Sequence, residues 1–183
     1  MSSSLETSLG RLKGKVAIVT GGASPLGFGF AIARRFIEEG AKVIIGDLDG
    51  SGAESVASSL SSPNVKGVAM NVCKHEDWER VVDLAIKEFG RVDILVNNAG
   101  TTYRNKPTAE VTEDEFERVM SVNVKSIFWS VKAVVPQMQK QGGGGSIINI
   151  SSSGSIRPRP GLVWYNASKG AVSNVSLING RPW

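Results

Sequence analysis

Tyr165 and Lys169 stand four residues apart in the stretch YNASK, and Ser152 precedes the tyrosine by thirteen residues. A tyrosine and a lysine at that spacing share one face of a helix. The pair can carry acid–base chemistry. A free phenol titrates near ~10, too high for an efficient base at neutral pH, but an ammonium one turn away favours the phenolate.

A second stretch suits phosphate binding. TGGASPLGFG, residues 20–29, lies between the apolar run KVAIVT (15–20) and the amphipathic run FAIARRFIEEG (30–40). Glycines between a strand and a helix permit a tight turn and close approach of a pyrophosphate, and the helix N-terminus offers it free N–H groups. Asp47 follows Gly29 by eighteen residues and ends the run AKVIIGD. An acid there can accept hydrogen bonds from the adenosine ribose and repels a 2′-phosphate. No Arg or Lys stands in the glycine loop or directly after Asp47. NAD is therefore expected over NADP.

The elements that must position these groups read as alternating strands and helices. Further buried strands are expected at VKGVAM (65–70), VDILVNNAG (92–100) and SIINISS (146–152). Helices are expected over 30–40, 51–62 and 76–90, over 112–139 with Pro136 weakening its last part, and from about Ala167. Strands apolar on both faces, each of the first four followed by a helix, predict an α/β, doubly wound parallel sheet with helices on both sides. In such a fold the ligand site lies at the carboxyl ends of the strands.

Composition narrows the function class. The 183 residues include 21 Lys and Arg and 17 Asp and Glu, a net charge of +4, and 41% hydrophobic residues. The charges read as scattered, with no basic run interleaved with aromatics, which argues against nucleic acid. Cys73 and His75 are the sole cysteine and histidine, too few for a zinc site, and both read as structural. The N-terminus has no apolar signal region, and no run reaches the ~20 apolar residues of a membrane span. The cytoplasm is the expected compartment. Residues 1–13 read as a flexible tail and 14–183 as one domain.

NNAG (97–100), VNV (122–124) and ISS (150–152), taken with the glycine loop and YNASK, resemble the short-chain dehydrogenase/reductase family throughout residues 15–172. The resemblance implies a Rossmann-type sheet, here of five strands in the order 3-2-1-4-5. It implies hydride transfer between a nicotinamide cofactor and a carbonyl or secondary alcohol. Tyr165 would be the acid–base group, and Lys169 would tune it and hold the nicotinamide ribose. Ser152 would stabilise charge on the substrate oxygen, and Asn123 would anchor a water linking Lys169 to solvent. Gly21, Gly27, Phe28, Gly29, Asp47, Asn71, Val72 and Asn98 would contact the cofactor, Asn71 standing where the family usually has Asp. Each residue also has a plainer reading. Ser152 can cap a turn in SSSGS, Asn123 can satisfy helix backbone, and Tyr165 and Lys169 can be ordinary helix-surface residues.

Two departures from the family pattern stand out. Gly27-Phe28-Gly29 comes two residues late, as if Pro25-Leu26 were inserted, which predicts a reshaped phosphate site. Such a loop also suggests an enoyl reductase, a narrower reading that the Ser-Tyr-Lys spacing opposes. After GAVSNVS the sequence reads LINGRPW, and Asn179-Gly180 and Pro182 are expected to break the last helix. The strands that the family would supply next are missing from the sequence. The chain is thus expected to be a C-terminally truncated member, poorly stable and at most weakly active, whose full-length relatives form homo-oligomers. The alternative is a non-catalytic remnant that binds NAD weakly or a partner protein. Residues 154–164 would form one substrate wall, with Leu162 and Trp164 as apolar contacts and Arg157 or Arg159 as anion contacts.

Overall fold

The computed structural model describes residues 10–178. Short β-branched apolar runs form its strands: β1 (Val16–Thr20), β2 (Lys42–Asp47), β3 (Val65–Ala69), β4 (Ile94–Asn97) and β5 (Ser146–Asn149). They pair in parallel in the order β3-β2-β1-β4-β5, with Val19 opposite Ile45 on one side and Val96 on the other. This is the expected doubly wound, Rossmann-type sheet. Helices α1 (Phe28–Glu38), α2 (Gly50–Ser59), α3 (His75–Phe89), α4 (Glu113–Met120), α5 (Ser126–Lys140) and α6 (Val163–Ile178) complete the fold.

Side chains alternate across the sheet and so build two cores. Val16 and Ile18 of β1 pack with Trp78, Val81, Val134 and Met138 beneath α3 and α5. Ala17 and Val19 pack with Ala33, Ala53 and Val56 beneath α1 and α2. The strand carboxyl ends are thereby fixed from both faces, and the candidate residues stand there. β5 is an edge of the sheet and only half buried, with Ile148 41% exposed. Among the described residues no helix is long and apolar enough to cross a membrane.

Three expectations need correction. The helix expected over 112–139 is α4 and α5 joined by a π turn, Ser121–Lys125, with Asn123 in the turn. α5 runs through Pro136 to Lys140 without ending. The proline is exposed, so water can satisfy the carbonyl four residues back that loses its partner. α6 begins at Val163, four residues earlier than expected. The tail expected over residues 1–13 is docked from Gly10 onward: Arg11 Nη2 lies 2.7 Å from Glu39 Oε1, and the Leu12 N–H donates to the Glu39 carbonyl. The expected break at Asn179-Gly180 and Pro182 lies outside the described residues.

Asp93 clamps the amino end of the sheet. Its carboxylate accepts the Val16 N–H at 2.9 Å and the Arg91 fork at 2.7 and 2.8 Å, with Lys15 Nζ at 3.7 Å. Burial pushes its pKa up, but Arg91, the Val16 N–H and Lys15 outweigh burial and hold it below the usual carboxylate range. A carboxyl depressed in the folded state gives stability that is present above the unfolded value, near ~3.9, and is lost as pH falls through the folded value. Asp93→Asn should lower stability at pH 7 by about 2 kcal/mol. Urea midpoints measured down to acid pH should show that difference vanishing as pH falls through the depressed value.

Candidate active site

A cleft of about 560 Å³ opens at the carboxyl ends of the strands. Gly21, Asp47, Asn71, Val72 and Asn98 line it, five of the residues expected to hold a cofactor. At Gly21 the backbone is closely packed. Its φ is +70°, and a Cβ there would lie 2.8 Å from the Ala99 Cα. Gly29, in the first turn of α1, packs on Gly21 so closely that a Cβ would overlap the Gly21 carbonyl oxygen. The Asn98 amide sits between them and donates to the carbonyls of Thr20 at 2.8 Å and Gly21 at 2.9 Å.

The two extra loop residues do not disturb this contact. Gly27 N–H donates to the Ser24 carbonyl at 2.9 Å and closes a turn over Pro25-Leu26. That turn projects outward, with Leu26 98% and Phe28 79% exposed. Gly27 and Phe28 are thus the N-cap and first residue of α1, outside the cleft's lining.

Asp47 ends β2 and faces both the loop and the cleft. Its carboxylate accepts the Ala23 N–H at 2.9 Å and the Asp49 N–H at 3.1 Å. Asn71 uses Oδ1 to accept the Cys73 N–H at 3.0 Å, so its Nδ2 is free to donate into the cleft. Val72 is 8% exposed, and its carbonyl accepts the Trp78 indole N–H at 2.9 Å.

The second cluster lies at the end of β5. Lys169 is 6% exposed, and its Nζ donates to the Ile150 carbonyl at 2.8 Å. Burial pushes the ammonium's pKa below the usual lysine value. Asn123 is 3% exposed; its Oδ1 accepts the Thr101 N–H, and its Nδ2 donates to the Thr101 carbonyl and to Ser168 Oγ. Ser168 Oγ donates in turn to the Tyr165 carbonyl at 2.7 Å. A Cβ on Gly100, which lines the cleft, would lie 3.4 Å from both Asn123 Oδ1 and Lys169 Nζ. Gly100 is where the two clusters meet.

Tyr165 and Lys169 share α6, one turn apart. Tyr165 is half buried, and Ser152 Oγ accepts the Gly154 N–H at 3.1 Å, so the turn-capping reading of Ser152 holds. Among the described residues no hydrogen bond joins the side chains of Ser152, Tyr165 and Lys169 to one another. Both donors of the Asn123 amide go to protein partners, so its side chain braces the 98–101 segment against α6.

A model of the family described as short chain dehydrogenase matches residues 15–178. The chain belongs to that family. It is 48% identical over 167 residues to 4-formylbenzenesulfonate dehydrogenase TsaC1/TsaC2 of Comamonas testosteroni, covering 90% of this chain and 65% of the relative. It is 41% identical over 167 residues to an NADP-dependent (R)-specific alcohol dehydrogenase of Lentilactobacillus kefiri, covering 91% and 65%. A crystal structure of 3-ketoacyl-(acyl-carrier-protein) reductase from Brucella melitensis, complexed with NADH, matches with TM-score 0.87 at 40% identity, covering 92% of this chain and 69% of that one. The chain thus spans about 65% of the length of the curated relatives it matches.

Within this short-chain dehydrogenase site, several residues escaped the sequence reading. Arg118 and Cys73 line the cleft. Thr20 Oγ1 accepts the N–H groups of Asn98 and Ala99, both at 3.1 Å. Tyr103 is 4% exposed, and its hydroxyl accepts the Trp164 N–H at 3.1 Å, which holds the first turn of α6 beside Tyr165. Only Ser168 carried a signal, lying between Tyr165 and Lys169 on the same helix. The rest are joined by contacts between distant parts of the chain.

Tyr103→Phe removes the acceptor for one helix-initial N–H and should cost about 1 kcal/mol. Hydrogen exchange resolved to single amides should show faster exchange at Trp164, with Val16 to Thr20 unchanged.

Proposed function

We propose that this chain carries the cofactor-binding and acid–base groups of an oxidoreductase that interconverts carbonyls and secondary alcohols using NAD. The observation that carries the reading is Gly100: it lines the cleft and stands against both Asn123 and Lys169. A ligand filling the cleft along the 98–101 segment ends beside Lys169.

The residues present fit a dinucleotide. The Gly21–Gly29 contact leaves no room for side chains and lets backbone approach a pyrophosphate, while the Asp47 carboxylate keeps lone pairs for ribose hydroxyls. The nicotinamide, when bound, supplies or accepts the hydride. Lys169 has three donors and spends one on the Ile150 carbonyl, leaving two for a ribose hydroxyl and the Tyr165 oxygen. Tyr165 gives a proton to the carbonyl oxygen in reduction and takes one from the alcohol in oxidation. The Ser152 hydroxyl accepts one bond from Gly154 and keeps its proton to donate to that same oxygen.

Relatives of this chain carry both cofactors in their names, NADH for the Brucella reductase and NADP for the Lentilactobacillus alcohol dehydrogenase. Asp47 selects between them here, because a 2′-phosphate would meet its carboxylate. NADH should bind more tightly than NADPH in calorimetric titrations, and Asp47→Ala should narrow the ratio. Equal affinities for the unsubstituted chain would remove the NAD preference.

Aromatic aldehydes are the first substrates to assay, given the name of the Comamonas relative. Tyr165→Phe should reduce kcat by about 10²–10⁴-fold while leaving the NADH dissociation constant within a factor of two or so. Full activity in that variant would show that Tyr165 is not the acid–base group.

A further inference from the structure

Two segments that are distant in sequence are sewn together beside Tyr165. Besides the Tyr103–Trp164 bond, Asn105 Nδ2 donates to the Pro160 carbonyl at 2.7 Å, and the Lys106 N–H donates to the Gly161 carbonyl at 3.2 Å. Asn166 Nδ2, next to Tyr165, donates to the Arg159 carbonyl at 2.9 Å. The stitching sets Arg104 on one strip of backbone next to another that carries Arg157 and Arg159. All three arginines are exposed, and no guanidinium among them has an ion pair or hydrogen bond within the described residues. Lys106, the other cation of these segments, is already taken by Glu115 at 2.9 Å.

The sequence around them is depleted of acids. No Asp or Glu occurs between Asp93 and Glu110, and none follows Glu117. α4 brings Glu113, Asp114 and Glu117 near α6 through the Phe116–Trp164 ring contact, yet none of them pairs with the three arginines. The charges are therefore not evenly scattered, contrary to the reading from composition. Asp47 lines the cleft together with Arg118, with Asp49 and Asp77 nearby, whereas the segments beside Tyr165 carry three cations without partners. The same loop exposes an apolar surface, with Ile156 84% exposed and Leu162 and Trp164 half buried.

We propose that Arg104, Arg157 and Arg159 receive an anionic group on the substrate, so that this chain selects aromatic carbonyls bearing a sulfonate or carboxylate away from the reacting carbon. This rests on Tyr165 being the acid–base group. A guanidinium keeps its charge at all working pH values and presents a planar fork that matches both oxyanions. Unpaired cations on adjoining segments repel one another, and a bound anion relieves that repulsion. The apolar side chains of the same loop suit the aromatic ring that would connect the two ends.

The test uses the full chain with NADH and three probes of similar length: 4-formylbenzenesulfonate, 4-formylbenzoate and neutral 4-methylbenzaldehyde. The expected kcat/KM for the anionic aldehydes exceeds that for the neutral one by about tenfold or more. That ratio should fall as NaCl rises from about 0.05 to about 0.5 M. It should also collapse in the Arg157→Gln/Arg159→Gln variant, with Arg157→Lys/Arg159→Lys retaining part of it and NADH affinity reporting that the variants are folded. A ratio near one, or a ratio that survives the glutamine substitutions, overturns the proposal. If NADH binds but no aldehyde turns over, the acid–base reading fails for this chain. Calorimetric titration of 4-sulfobenzoate into the NADH complex then decides the arginine proposal, since binding lost on the glutamine substitutions supports it and absence of binding overturns it.

Discussion

The Asn98 amide is the knot on which the rest of the site depends. It donates to the last carbonyl of β1 and the first of the glycine turn, and Thr20 Oγ1 returns the bond by accepting the Asn98 and Ala99 N–H groups. β1, β4 and α1 therefore meet at one point at the carboxyl edge of the sheet. From there the chain runs through Gly100 to Thr101, whose backbone N–H and carbonyl are both held by Asn123. Asn123 reaches Ser168, and Ser168 holds the Tyr165 carbonyl. A continuous polar path thus ties the cofactor turn to the helix that bears Tyr165 and Lys169. Buried amides left without partners would cost about 1–3 kcal/mol each, so this path is stable only as a complete set.

That geometry explains how the lengthened loop is tolerated. The essential contact is Gly21 against Gly29, with Asn98 between, and the two glycines lie outside the insertion, one on each side. Pro25-Leu26 projects as a closed turn with the Leu26 side chain in solvent. The helix N-terminus starts two residues later in sequence but still packs on the same strand end. The loop is lengthened while its floor, the Gly21–Gly29 contact, stays closed.

The sheet was legible because its information is local. Five apolar runs give the strands, and the residue ending each run marks the edge where the candidate groups stand. Helix boundaries were less legible for identifiable reasons. The π turn at Ser121–Lys125 exists because Asn123 must face both Thr101 and Ser168, a requirement set by segments more than twenty residues away. α6 starts early because Tyr103 supplies an acceptor for its Trp164 N–H. Pro136 sits on the exposed side of a helix whose other face buries Val134 and Met138, so the helix continues through it. In each case tertiary contacts overrode a local signal.

Charge was misread for a related cause. A net charge of +4 from 21 cations and 17 anions looks ordinary when summed, and sums discard position. Folding gathers several acids around Asp47 at the cleft and leaves Arg104, Arg157 and Arg159 on the segments beside Tyr165. On the cofactor side, carboxylates are tied down by backbone N–H groups: Asp47 by Ala23, Asp49 by Gly52, Asp77 by Asn71. Those acids already have structural partners. On the Tyr165 side the arginines have no such partners, and their repulsion is not offset by anything within the described residues. Solvent screens such repulsion to a few tenths of a kcal/mol per pair, small enough for the fold to carry. The same screening weakens as a ligand displaces water, so the field that costs the free protein little becomes strong when an anion is bound there.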